Sequence, residues 1–249
     1  MFRFKHFAVN DEGCAMKVGT DGVLLGAWAT HDRPAHILDI GTGSGLIALM
    51  LAQRYPQAVI HAIDIDADAC GQALSNFMDS PWSERLSVEH TDLQHFSSGC
   101  AYDLIVSNPP FFQNSLRAPD PQRSLARHTD ALPYSELLSH SRRLLTADGT
   151  IALIVPYTQR EYILSLAREQ GLHASDLVAV VSKPGKSPKR LLIALTSDSC
   201  SLADTGDTHC PTQTDDEFIT HKEERLFFIE GKKTSRSEEY QQLTREFYL

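Results

Sequence analysis

From residue 37 onward the chain alternates short apolar runs with longer amphipathic segments, and this alternation constrains its fold more than any other feature. The apolar runs are ILDI (37–40), VIHAID (59–64), LSVEH (86–90), YDLIVSN (102–108) and TIALIVP (150–156), with two more at 177–182 and 190–196. Between them, residues 46–53, 66–78, 134–145 and 159–170 read as helices, the second opened by Asp66 as a side-chain acceptor for free backbone NH groups. Neighbouring parallel strands need a crossover connection, usually a helix. The pattern therefore predicts an α/β fold with a doubly wound, mostly parallel seven-stranded sheet over residues 37–196. Residues 1–36 are expected to form an amino-terminal extension. Residues 197–249 are expected to carry an acidic loop, then a strand, a GKK turn and a closing helix packed on the same domain. No internal repeat is visible.

The first strand runs into Asp39-Ile40-Gly41-Thr42-Gly43-Ser44-Gly45 and then directly into the first helix. Glycines here allow a sharp turn and close approach of a ligand to the backbone, and the helix amino terminus offers free NH groups to an electron-rich group. A structural turn would use the same glycines. Three acids at neighbouring strand ends favour a ligand. Asp39 sits before the loop, Asp64 ends the second strand where a carboxylate can accept from ribose hydroxyls, and Asp92 follows the third strand where an adenine edge would lie. These positions suit a nucleoside cofactor across the carboxyl ends of strands one to three. The loop reads GxGxG with Leu46 where the dinucleotide fingerprint has Gly or Ala, so NAD is disfavoured against S-adenosylmethionine.

The fourth strand ends in Ser107-Asn108-Pro109-Pro110-Phe111, with Phe112 behind it. Two prolines stop regular pairing and fix the backbone. Methyl transfer to an exocyclic amine requires its nitrogen lone pair, which is delocalised into the ring. The Asn108 side-chain oxygen and the Pro109 carbonyl could accept from that NH2 group and stabilise the positive charge growing on nitrogen. Phe111 could stack on a planar base or amide. Such chemistry needs no metal, and alignment with fixed dipoles would supply most of the acceleration.

Together, DIGTGSG, Asp64, Asp92 and NPPF resemble the class I S-adenosylmethionine-dependent amino-methyltransferases over about residues 15–156. The segment Cys14–Trp28, the run Lys189-Arg190-Leu191-Leu192 and the ending Glu239-Tyr240…Leu243-Thr244…Phe247-Tyr248-Leu249 extend the resemblance. They match the bacterial tRNA (adenine-N6)-methyltransferases that act on adenine 37 of valine tRNA. The resemblance implies a Rossmann-like fold, S-adenosylmethionine as cofactor, tRNA as partner, and Lys17, Thr20 and Asp21 in a segment folding over the cofactor beside Asp39, Gly41, Gly43, Gly45, Asp64, Asp92 and Asn108. The alternative reading of that segment is an ordinary N-capped helix start at Thr20. The acidic segment 197–217 matches the family poorly.

Charge speaks first against an RNA partner: 23 Lys+Arg face 32 Asp+Glu, a net −9. Distribution changes this. Residues 198–217 hold six acids and no Lys or Arg, so the rest of the chain carries −3, and that segment reads as an exposed, mobile loop. Local basic clusters remain at Arg117, Arg123, Arg127 and His128, at Lys183, Lys186, Lys189 and Arg190, and at Lys232, Lys233 and Arg236. These are the expected phosphate contacts, with Phe112 and Tyr157 placed to help receive a flipped base. Five dispersed cysteines without a CxxC pair suggest neither a disulfide framework nor a zinc site. The terminus MFRFKHF lacks a signal-peptide core, so a cytoplasmic monomer is expected.

Three function classes follow. The first is methylation of an adenine N6 in tRNA. The second is another amino-methyltransferase, acting on ribosomal RNA or on a protein glutamine; the glutamine enzymes carry a helical domain before the glycine loop, and only 38 residues precede Asp39 here. The third, a non-catalytic cofactor-fold module, has no need of Asp39, Asp64 and NPPF together.

Overall fold

Along the strands, successive residues divide between two cores, as the period-two geometry of a strand demands. Ile37, Ile60, Ala62, Leu104, Val106, Ala152 and Ile154 enter one core, while Leu38, Ile40, Ile63, Ile105, Ile151, Leu153 and Val155 enter the other. Both faces of the sheet are thus dry, which is why the runs are almost continuously apolar. The computed structural model describes residues 1–110, 132–197, 224–231 and 235–248.

Two short antiparallel strands, β1 (Phe2–Arg3) and β2 (Ala8–Val9), precede helix α1 (Thr20–Trp28). Then follow β3 (His36–Ile40), α2 (Leu46–Arg54), β4 (Val59–Asp64), α3 (Ala67–Met78), β5 (Leu86–His90) and β6 (Tyr102–Ser107). Helix α4 (Tyr134–Leu144), β7 (Leu145–Pro156), α5 (Arg160–Glu169), β8 (Leu172–Val181), β9 (Arg190–Ser197), β10 (Arg225–Phe228) and α6 (Glu238–Thr244) complete the chain. Helices α1, α2, α3 and α6 contribute to the first core, and α4 and α5 to the second.

The sheet order is β10-β8-β9-β7-β6-β3-β4-β5, parallel except for β9. Eight strands, not seven, therefore form this sheet among the described residues. The tail strand β10 adds to the edge beside β8, Arg225 to Phe228 pairing with Val178 to Val181. Strand β7 also starts earlier than expected, at Leu145, with a register shift opposite Tyr102 and Leu104.

Strand order reverses between β3 and β6, whose carboxyl ends lie in register at Ile40 and Ser107. That switch point is where an open α/β sheet splays its loops and leaves a crevice. The chain ends meet behind α1. The Lys5 amide donates to the Phe247 carbonyl at 2.8 Å, and the Phe4 ring stacks on Phe7 and Tyr248.

Candidate active site

The glycine loop leaves β3 at the switch point. Gly41, Gly43 and Gly45 all have positive φ, at 70°, 55° and 79°, a region that costs a residue with a Cβ about 1–2 kcal/mol. The three differ in their surroundings. A Cβ on Gly45 would lie 2.5 Å from Phe77, so that glycine lets α2 pack on α3. A Cβ on Gly41 or Gly43 would meet nothing within 4 Å. These two face open space and form a cradle of bare backbone. The Gly41 and Thr42 amides tie the loop to the Ile63 carbonyl of β4.

Asp39 lies beneath this loop with no exposed surface. Its Oδ2 accepts from the Thr42 hydroxyl at 2.7 Å and from the Ala48 amide at 3.2 Å. Its Oδ1 is buried and has no partner. Burial pushes its pKa up to about 7, against the opposing pull of these two hydrogen bonds; the Asp64 charge adds to the rise. An acceptor so placed favours a donor or a cation above it.

At the end of β4, Asp64 accepts from the Gly43 amide at 2.8 Å and the Asp66 amide at 3.0 Å, which bends the loop toward β4. Ile65, next along, is 54% exposed at the rim. Asp66 caps α3 as its sequence position suggested, accepting from the Asp68 and Ala69 amides. Asp92, after β5, accepts from both the amide and the ring Nδ1 of His95. These bonds hold its carboxyl below the usual range.

Asn108 follows β6 immediately, one residue past the Ile40–Ser107 register pair. The Ser107 hydroxyl donates to the Ile40 carbonyl at 2.8 Å and locks the two strand ends together. Asn108 Nδ2 lies 3.7 Å from Met16 Sδ, while its Oδ1 is buried without a partner. Pro109 is buried and Pro110 exposed. The glycine cradle, Asp39, Asp64 and Asn108 thus converge on one edge, with two orphaned acceptors.

Other expected residues are engaged differently. Lys17 Nζ donates to the Asp11 and Glu12 carbonyls at 2.7 and 3.1 Å. Thr20 opens α1 behind Gly19, which makes no side-chain cap. Asp21 accepts from Arg190 Nε at 2.7 Å, so residues expected in two different roles are paired with each other. Lys183, Lys186 and Lys189 are exposed on the hairpin joining β8 to β9. That hairpin leaves the same edge of the sheet as Asn108, because Val180 and Pro156 both pair with Arg190. Phe111, Phe112, Arg117, Arg123, Arg127, His128, Lys232, Lys233 and the segment 198–217 lie outside the described residues.

Asn76, without a predicted role, bears on the site, and Tyr157, expected to help receive a flipped base, is engaged by Glu224. Asn76 of α3 is buried; its Nδ2 donates to the Asn10 and Ser44 carbonyls at 2.7 and 2.8 Å, and its Oδ1 accepts from the Asn10 amide. Its signal in the sequence is a polar residue within the buried stripe Ala69, Cys70, Ala73, Asn76, Phe77. Tyr157, just past β7, donates to Glu224, which also accepts from Arg160 Nε, both at 2.9 Å. Among the described residues no cluster of His, Cys, Asp and Glu could hold a metal, and no helix is long and apolar enough to cross a membrane.

Comparison with known proteins agrees with this geometry. Residues 17–171 match the family model described as methyltransferase small domain. A protein of Phocaeicola vulgatus named tRNA1(Val) (adenine(37)-N6)-methyltransferase is 46% identical over 250 residues, covering 100% of this chain and 97% of its own. A protein of the same name from Parabacteroides distasonis is 54% identical over 198 residues, covering 79% and 83%. One from Vibrio campbellii is 41% identical, covering 100% and 95%. Among solved structures, a predicted O-methyltransferase from Agrobacterium tumefaciens superposes with a TM-score of 0.64 at 15% identity over 91% of this chain and 96% of its own, a likeness of fold. The sheet, its switch-point site and the full-length relatives agree: this chain belongs to the methyltransferase small domain family, in the group with the tRNA1(Val) (adenine(37)-N6)-methyltransferases.

Proposed function

We propose that this protein transfers a methyl group from S-adenosylmethionine to the exocyclic N6 of an adenine in tRNA, adenine 37 of valine tRNA by the names of its relatives. The observation that carries the reading is Asn108 Oδ1, a buried acceptor without a partner at the switch point beside an open glycine cradle. The residues present fit the cofactor. Gly41 and Gly43 leave room for it, Asp64 offers oxygens at the strand end, and Asp39 supplies an orphaned acceptor for a donor or cation. Gly45, Asp92 and the segment bearing Lys17, Thr20 and Asp21 belong to this reading as further cofactor contacts. When bound, the sulfonium provides an electrophilic methyl carbon.

In this chain the work is done by fixed acceptors. Asn108 Oδ1 and the Pro109 carbonyl accept hydrogen bonds from the two N–H groups of the amine and turn the nitrogen lone pair out of conjugation. These two acceptors would steady the ammonium-like nitrogen until it releases a proton to water, the bound cofactor supplying the methyl carbon and carrying away the C–S bonding pair. No strong base is required. The prolines hold both acceptors still, so little reorganisation accompanies the charge change. The exposed lysines 183, 186 and 189 lie on the same edge and suit a phosphate backbone. Phe111, Arg117, Arg123, Arg127, Lys232 and Lys233 belong to this reading as further base and phosphate contacts.

Radiolabelled methyl transfer to unmodified tRNA, followed by nucleoside analysis, tests the activity; label confined to protein would overturn it. Asn108→Ala should lower the methylation rate at least about a hundredfold, the size seen when a preorganised polar group is removed. Cofactor affinity should stay within a few fold.

A further inference from the structure

Residues 10–21 form a strap across the carboxyl edge of the sheet, and the strap is fastened at both ends. At its start, Asn76 grips both backbone groups of Asn10 and the Ser44 carbonyl of the glycine loop. In the middle, the Asp11 carboxylate accepts from the Val18 amide at 2.8 Å, and the Lys17 ammonium folds back onto the Asp11 and Glu12 carbonyls. Between these, Met16 lies against Asn108. At its far end, Asp21 meets Arg190, 169 residues away in sequence.

Arg190 is the first residue of β9, held on one side by Val180 and on the other by Pro156, so its guanidinium rises from a rigid interior strand. Lys183, Lys186 and Lys189 are instead exposed on the hairpin before it. Asp21 has the helix amino terminus at hand in the first turn of α1, yet its carboxylate reaches the guanidinium. A phosphate arriving at Arg190 would have to displace or neighbour that carboxylate, and like charges oppose it.

We propose that Arg190 and Asp21 form a latch holding residues 14–20 over Asn108, with Arg190 a positioning residue for the cofactor-binding pocket and not a phosphate ligand. The latch rests on the methyltransferase reading of the site. Because β9 is paired on both sides, the pair fixes the amino end of α1, and with it the loop that places Met16 at Asn108. Opening the latch frees the strap and speeds escape of the bound nucleoside, while the lysine hairpin keeps its grip on RNA.

The test uses the full chain with Arg190→Ala, Asp21→Ala and the double variant. Hydrogen exchange at the amides of residues 14–20 is measured without ligand, S-adenosylhomocysteine affinity by calorimetry, and tRNA affinity against salt by filter binding. Each single variant should speed exchange and weaken S-adenosylhomocysteine by about tenfold, as expected when a charge-assisted hydrogen bond is lost. The double variant should be no worse than either single one, since both remove the same interaction. Affinity for tRNA should stay within about twofold with an unchanged salt slope. The proposal is overturned by unaltered exchange at residues 14–20, by additive effects in the double variant, or by a tRNA salt slope lowered by about one in Arg190→Ala but not in Asp21→Ala. Should Arg190→Ala not fold, Arg190→Gln enters the same cycle under the same criteria. The exchange measurement needs no substrate, so the latch is judged even if an active Asn108→Ala variant were to refute the proposed chemistry.

Discussion

Single residues in the glycine loop separate stability from binding. Gly45 needs both a left-handed backbone and the absence of a Cβ, because Phe77 is buried and cannot withdraw. Gly45→Ala should cost about 3 kcal/mol, the sum of backbone strain and overpacking. Gly43→Ala adds its methyl to open space and should cost about 1 kcal/mol. Its larger penalty should fall on cofactor affinity, because the methyl occupies the cradle. Urea melts and calorimetry on the two variants test this inversion. Asp39 offers a second test. Its folded pKa is raised from 3.8 to about 7, so the unfolded chain releases that proton first as pH rises. The stability tied to the neutral carboxyl is present below about pH 4, is lost as pH climbs to about 7, and changes no further above that. Asn cannot ionise, and one oxygen can still accept from Thr42 and Ala48. Asp39→Asn should therefore gain on the parent across pH 4–7 and hold that gain to pH 8. A difference independent of pH would mean that Asp39 is ionised throughout.

At the scale of elements, the features legible in the sequence are those set by local pattern. The continuous apolar runs announce strands buried on both faces, and the carboxyl ends of β3, β4 and β6 with the loops after them hold Asp39, the glycines, Asp64 and Asn108, because strand ends are where side chains leave the sheet. What escapes the sequence is pairing over long separations. Nothing in RLFFIE says that it joins β8, and nothing near Asp21 points to Arg190. Asn76 sits in a buried stripe whose period is plain, but its partners come from a loop and a strap elsewhere in the chain. The β8–β9 hairpin belongs to the same scale. Its lysines have no acid between them, and Lys186→Glu with Lys189→Glu should weaken tRNA binding and flatten its salt dependence by about two ions, at about 0.9 per phosphate contact. An unchanged slope would leave those lysines as solvated surface charge. Methylation of a free nucleoside or a short anticodon-loop RNA should suffer less than that of whole tRNA.

Over the whole molecule, the net −9 is a poor guide to the partner, because residues 183–190 carry four Lys and Arg and no acid. A field is local once salt has screened it. Architecture also decides the order in which parts become available. Helix α1 carries the strap, and it shares a core with Tyr240 of α6 and with Phe247, each no more than 2% exposed. Phe247 in turn binds Lys5 through the backbone. A ribosome making this chain delivers the glycine loop, α2 and Asn108 before Tyr240 and Phe247, which add to the packing behind α1. The nascent polypeptide can therefore pack α1 on α2 while part of the strap's backing is still to come. A product cut short before Tyr240 would hold its strap through Asn76 and Arg190 alone, so it should compete poorly for tRNA methylation however intact its own site residues are.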